Sequence, residues 1–279
     1  MTSSPDRTTI TVLAIGAHPD DCDMGAGGLA ALYARAGNQV HFVAVTNGDA
    51  GHHEMGGAPL ARRRYAEAQA AAAVPGIDYI VMDNHDGELE PSLANRRAII
   101  RLIRELRPAL ILTHRTNDYH PDHRYTAQLV QDAAYMVTVP GVAALTPHLA
   151  ANPIICYMYD RFTHPYPFQP AIVVDIDDVL NAKLDMLHQH TSQVYEWLPY
   201  NAGQLDEVPA AERQRRHWLQ QTYGPRFALL ADHYRDTLFD LYGPERGAQV
   251  RHAEAFEVSE YGAPLTPEAR GRLFPFLPG

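Results

Sequence analysis

Along the first 140 positions the hydrophobic residues repeat one pattern: a short apolar run, a polar turn, then a longer stretch with apolar positions every third or fourth residue. The runs at 11–15, 40–45, 77–82 and 109–113 are compact and apolar, as strands buried on both faces are. Residues 24–36 place Leu29, Leu32 and Tyr33 at helical spacing and stop at Gly37-Asn38. Residues 60–73 form an Ala/Arg-rich helical stretch, and 92–106 is amphipathic through Leu93, Ile99, Ile100, Leu102, Ile103 and Leu106 before Pro108 stops it. A further helix is expected over 126–135, with polar loops at 83–88 and at 52–59, the latter reading as mobile. Strand alternating with helix at this spacing predicts an α/β fold: a Rossmann-like, mostly parallel sheet with right-handed crossovers and helices on both faces.

Beyond residue 140, prolines at 140, 147, 153, 165, 167 and 170 interrupt the pattern. Strands are expected at 154–159, 171–175 and 254–258, and helices at 177–190, 211–221 and 226–241. No repeat, low-complexity tract or linker separates this half. Residues 1–279 therefore read as one domain: a flexible N-terminus over 1–9, a Rossmann-like half over 10–140, and a second layer and rim with extra helical elements over 141–279.

Composition narrows the function. The 279 residues are 46% hydrophobic, enough for a sizeable core, and a formal charge of −10 argues against nucleic-acid binding, whose footprint is basic. No run approaches the roughly 20 apolar residues of a membrane span, and the first nine residues carry no apolar stretch of signal-peptide length. A cytoplasmic protein acting on a small molecule is the expectation, with no nucleic acid or membrane partner and with homo-oligomerisation left open. Cys22 and Cys156 are too few for a disulfide framework and form no CxxC pair for structural zinc. Lys183 is the one lysine beside twenty-two arginines, a bias most simply ascribed to GC-rich codons. Fifteen histidines are more than the size requires, although an isolated one is most simply a surface or core side chain.

Two segments gather imidazole and carboxylate together: His18-Pro19-Asp20-Asp21 behind the first strand and His120-Pro121-Asp122-His123 behind the fourth. Parallel strands open their carboxyl ends on one rim, where α/β folds bind ligands, so the two clusters can meet. A catalytic zinc usually takes three protein ligands and leaves a position for water. One His and one Asp from the first cluster with one His from the second complete such a set. Alone, the first cluster would read as a turn whose aspartates cap the next helix; two clusters behind parallel strands are hard to attribute to capping.

The order Ala17-His18-Pro19-Asp20-Asp21, Asn47-Gly48-Asp49-Ala50-Gly51 and His120-Pro121-Asp122-His123 resembles the LmbE-like family, the zinc-dependent deacetylases also called PIG-L. The likeness runs over about residues 10–135 and returns at residues 190–193 and 253–256. It implies hydrolysis of the N-acetyl group of an N-acetylglucosamine-type amino-sugar conjugate by attack of a metal-bound water, with Zn2+ or, on the same ligands, Fe2+. By this resemblance His18, Asp21 and His123 would hold the metal, and Asp20 would be the general base. His120 would be the cationic group that stabilises the oxyanion and protonates the leaving amine, and Asp122 would keep His120 charged and oriented. Arg64 and Asp86 would grip sugar hydroxyls, with the aglycone pocket built from 50–59 and the region beyond 140.

Plainer readings stand beside these. Arg64 reads equally as a solvated helix face or an ion pair with Glu67, and Asp86 as a turn residue before Gly87. Cys22 stands where the family commonly has Glu, and a thiolate there could reach the metal. Tyr119 sits one residue nearer His120 than the mobile tyrosine of some relatives, and His188 and His190 read as packing residues on a helix. Gly25, Gly27 and Gly28 do not make the GxGxxG of a dinucleotide site. Hydrolysis of another amide or of a phosphoester is an alternative, although a phosphatase would more often carry carboxylates for a second ion. A sugar-binding module without chemistry would be betrayed by a missing base, whereas Asp20 and His120 are both present.

Overall fold

The structure, a computed structural model, describes residues 9–278; the expected flexible segment 1–9 lies almost wholly outside the described residues. Among them the strands β1 (Thr11–Gly16), β2 (Gln39–Thr46), β3 (Asp78–Asn84), β4 (Leu110–Thr113), β5 (Ile154–Met158), β6 (Ile172–Asp175) and β7 (Ala253–Val258) make one sheet. Its order is β3-β2-β1-β4-β5-β7-β6. The first five are parallel to their neighbours, and β7 runs antiparallel to both β5 and β6. The mostly parallel α/β architecture read from the sequence is the one observed.

The crossovers are α1 (Asp21–Arg35), α2 (Gly57–Ala73), α3 (Leu93–Leu106) and α4 (Pro121–Met136). Beyond them come α5 (Leu180–Gln189), α6 (Leu198–Asn201), α7 (Glu212–His233), α8 (Arg235–Tyr242), α9 (Pro244–Gln249) and α10 (Pro267–Leu273). Strand side chains alternate between two cores. Val12 and Ala14 of β1 pack with α1, α2 and α5, while Leu13 and Ile15 pack with α3 and α4. The chain reverses its direction of travel across the sheet between β1 and β4, so the crevice at their carboxyl ends is the switch point where such sheets bind ligands.

Three expectations differ from what is observed. Helix α4 begins at Pro121, not Thr126, because Pro121 fits a first helical turn and the His120 imidazole caps it by accepting from the Asp122 N–H at 3.2 Å. The break anticipated between 221 and 226 is absent: α7 runs through Pro225, with Tyr223 and Phe227 buried on either side, so packing overrides the local helix penalty. Residues 52–56 are tied down rather than free, since His52 Nδ1 accepts from the Glu54 and Met55 amides at 3.0 and 3.2 Å and its Nε2 meets Glu196 at 2.8 Å.

One buried polar joint locks α1 to the far side of the sheet. Glu254 on β7 accepts from the Gly28 and Leu29 amides at 2.7 and 2.8 Å, and Lys183 on α5 pairs with Glu254 while donating to the Met24 carbonyl at 2.6 Å. The lysine head also lies 4.2 Å from the centre of the Phe227 ring. This anchorage holds the helix whose first residue is Asp21.

Candidate metal centre

The chain turns sharply after β1. The Ala17 and His18 amides donate to Asp21 Oδ2 at 2.9 and 2.7 Å, folding Asp21 back onto the strand end. Gly16 permits this: a Cβ there would fall 2.7 Å from Asp21 Cβ. Asp20, at the apex, has φ 151° and ψ −22°, a strained backbone for a residue with a side chain, and its amide donates to the Tyr79 hydroxyl at 3.1 Å.

Three side chains then converge. His18 Nδ1 is 3.4 Å from Asp21 and 3.3 Å from His123 Nε2, which is itself 3.4 Å from Asp21. The two contacts with Asp21 use different oxygens, Oδ2 toward His18 and Oδ1 toward His123, and the donor sets that close around a single point are His18–His120–His123, Asp21–His114–His123 and His18–Asp86–Asp122. The polarisation of the cluster agrees. Burial alone would lower His123, yet Asp21 and Asp118 carry it up to about 9. Burial alone would raise Asp21, yet His123 and His114 hold it well below the usual carboxylate range.

Each imidazole is backed by a carboxylate. Asp118 Oδ1 is 3.1 Å from His123 Nδ1, and Asp86 and Asp122 lie 3.2 and 3.3 Å from His18 Nε2. Such partners fix ring orientation and raise basicity. Asp118 was missed from sequence, although a His ligand asks for a carboxylate at its second nitrogen and Asp118 is five residues away. His114 was missed too. It follows β4 directly, stacks on His123 at 4.1 Å between ring centres, and its Nε2 stands 3.2 Å from both Asp21 Oδ2 and the Ala17 amide. Asp118→Asn is expected to weaken metal affinity about 10- to 100-fold in competition with a chromogenic chelator, with Cys22→Ala unchanged as the control. Cys22 is no ligand: burial pushes its thiol well above its ordinary range, and Sγ faces the Val43 carbonyl at 3.7 Å.

The expected support of His120 by Asp122 is corrected. The buried Asp122 carboxylate faces His18 and accepts from the Gly87 amide at 2.7 Å; what Asp122 lends His120 is its own backbone N–H. An imidazole accepting at Nδ1 carries its proton on Nε2 when neutral. Burial, then His18 and His123, lower the His120 pKa, while Asp122 and Asp86 act to raise it.

Arg64 is buried at the site, not on a solvated face, and Glu67 pairs with Arg63 instead. Its guanidinium donates to Asp20 at 3.0 Å, to the Gly48 and Pro19 carbonyls at 3.2 Å each, and to Asp86 at 3.5 Å. Gly48, at φ +70°, is needed here, because a Cβ would lie 2.6 Å from the guanidinium. Burial lifts Asp20 to about 6 against the pull of Arg64. Tyr119 is 71% exposed and stands edge-on to His120 and His123 at the rim. His190 is wholly buried, with its Nε2 3.1 Å from Asp23.

The family model described as "PIG-L: GlcNAc-PI de-N-acetylase" matches residues 13–134, from β1 to the end of α4. A diacetylchitobiose deacetylase of Thermococcus kodakarensis is 32% identical over 215 residues, covering 71% of this chain and 77% of that protein. A 4-oxalmesaconate hydratase of Pseudomonas putida is 26% identical over 214 residues, 73% of this chain and 81% of that protein. In fold, the chain is similar to the N,N'-diacetylchitobiose deacetylase of Pyrococcus horikoshii, with a TM-score of 0.70, 22% identity, and 93% and 87% of the two chains covered. With the motif residues gathered at one strand-end crevice and that likeness spread over more than two thirds of its length, the chain belongs to the PIG-L family.

Proposed function

We propose that this chain is a metal-dependent hydrolase that removes the N-acetyl group from an N-acetylglucosamine-type amino sugar, with zinc as the ion its donor set suits. The observation that supports the reading is the cluster of His18, Asp21, His114, His120 and His123 at one strand-end crevice, in which His18 Nδ1, His123 Nε2 and the Asp21 carboxylate lie 3.3–3.4 Å apart in pairs and other subsets close around one point, set beside a carboxyl raised to about 6. When bound, the ion supplies Lewis acidity and lowers the pKa of water. The chain does the rest. Asp20, ionising near neutrality and steered by Arg64, takes the proton from the attacking water and can return it to the departing amine. His120 presents its Nε2 proton to the oxygen that becomes negative as the amide carbon turns tetrahedral. Asp122 and Asp118 hold the two ligand imidazoles in orientation, and Arg64 with Asp86 supplies the polar wall against which sugar hydroxyls are held. The diacetylchitobiose deacetylase relative supports the amino-sugar substrate class.

The hydratase relative shares the family frame, so the test must separate the two chemistries. Acetate release from N-acetylglucosamine and N,N'-diacetylchitobiose is expected from the zinc-loaded protein, to vanish on chelation and to return with added metal. Addition of water to an unsaturated dicarboxylic or tricarboxylic acid, without acetate release from either sugar, would overturn the reading.

A further inference from the structure

The groups given a part in the chemistry all lie between positions 18 and 123, yet four residues from the other half of the chain brace them from behind. Between α5 and a π-helical turn over Gln193–Trp197, residues 190–193 fold tightly, the His190 carbonyl accepting from the Gln193 and Val194 amides at 3.0 and 2.8 Å. Their side chains reach three elements. Buried His190 has its Nε2 3.1 Å from Asp23 on α1, and its ring meets that of Tyr79 edge-on at 6.4 Å between centres. The Thr191 hydroxyl, the Ser192 amide and the Ser192 hydroxyl donate to Glu67 on α2 at 2.8, 2.9 and 2.6 Å. Gln193 donates to the Gly51 carbonyl at 3.0 Å and to the Ser192 hydroxyl at 3.1 Å.

Each anchor point adjoins the catalytic pocket. Asp23 is three residues from Asp20, whose amide donates to the Tyr79 hydroxyl at 3.1 Å. Glu67 lies about one helical turn after Arg64, the guanidinium that meets Asp20 at 3.0 Å. A Cβ on Gly51 would fall 3.0 Å from Arg64 Nη1 and 3.1 Å from Asp86 Oδ2. With Arg63 Nε at 3.1 Å, the buried Glu67 carboxylate has four donors, three of them from this turn. A fully paired buried network of this kind fixes one arrangement, where an apolar contact would leave the two elements freer to slide.

We propose that residues 190–193 are the positioning clamp of the catalytic base. Thr191 and Ser192 act through Glu67 and α2 to place Arg64, and His190 acts through Asp23 and Tyr79 to place the Asp20 peptide. The inference rests on the reading of Asp20 as the base and extends it to the second half of the chain. A misplacement of about 1 Å at a reacting group can cost about 10²-fold in rate, so a loosened clamp lowers turnover without removing any group that touches substrate.

The test is acetate release from N,N'-diacetylchitobiose by the zinc-loaded protein, with and without Thr191→Val/Ser192→Ala, in wild-type and Asp20→Asn backgrounds. Hydrogen exchange at the Asp20 amide is measured on the same proteins. The paired substitution nearly keeps side-chain shape and removes two donors to Glu67; either single substitution serves where the pair does not fold. A loss of about tenfold is expected in the wild-type background and less than about twofold beside Asp20→Asn, because residues acting as a unit are not additive. Full metal content and faster exchange at Asp20 are expected with it. An equal fold loss in both backgrounds, undiminished turnover in the first, or loss of the metal overturns the clamp. Faster exchange in the variant, with no acetate release even from wild type, would leave the clamp standing and remove the deacetylase reading; acetate release with turnover and exchange both unchanged would do the reverse.

Discussion

Asp20→Asn is expected to cut turnover by about 10²- to 10⁴-fold while the purified protein still binds one equivalent of metal. The substitution keeps the side chain's size and leaves an oxygen for the Arg64 guanidinium, which stands 3.0 Å from Asp20 and also reaches the Gly48 and Pro19 carbonyls. It removes only the capacity to take a proton near neutral pH. Metal analysis and acetate release on one preparation give the answer. Turnover within a fewfold of wild type would remove Asp20 as the base, and loss of the metal along with turnover would make Asp20 a structural partner of the ligand cluster instead. The strained backbone at φ 151° is consistent with a position fixed for chemistry, because the tyrosine hydroxyl of Tyr79 has to hold that peptide in place.

His123→Ala carries the other large effect: metal retention is lost, and activity with it, down to background. Of the three residues proposed as ligands, His123 comes from α4, whereas His18 and Asp21 belong to the turn after β1 and the start of α1. His123 belongs to two of the three donor sets that close around one point, so its removal takes more from the cluster than the loss of a residue that belongs to one. Elemental analysis after dialysis checks this, and circular dichroism checks that the fold persists. His114→Ala is the informative companion. His114 stacks on His123 and meets Asp21 at 3.2 Å, and it belongs to one of the closing donor sets where His123 belongs to two, so its loss should weaken retention less than His123→Ala does.

The elements and the two His/Asp clusters were legible because each is written locally. β-Branched runs, Gly37-Asn38 and the repeated His-Pro-Asp motif need only a few neighbouring residues to be understood. What was not legible is which carboxylate faces which imidazole. Asp122 is two residues from His120, and the family resemblance implied that pair. The N-terminus of α4, however, is docked against the loop after β3, where the Gly87 amide captures Asp122 and turns it to His18. Asp118 and His114 joined the centre for the same reason, through the packing of two strand ends that are distant in the chain. Arg64 could not be assigned from its helix either. Its burial depends on the glycine at position 48 of a different loop, and the neighbouring Arg63 took the local partner Glu67. Pro225 misled in the opposite direction, a strong local signal overruled by buried Tyr223 and Phe227.

Lys183, the chain's single lysine, is wholly enclosed between α1, α5 and β7. Reagents that acylate side-chain amines therefore find no target on the folded surface, and modification of this residue requires those three elements to part. The rate at which mass accumulates at position 183 thus becomes a clock for the opening of the joint that secures α1, and with it Asp21.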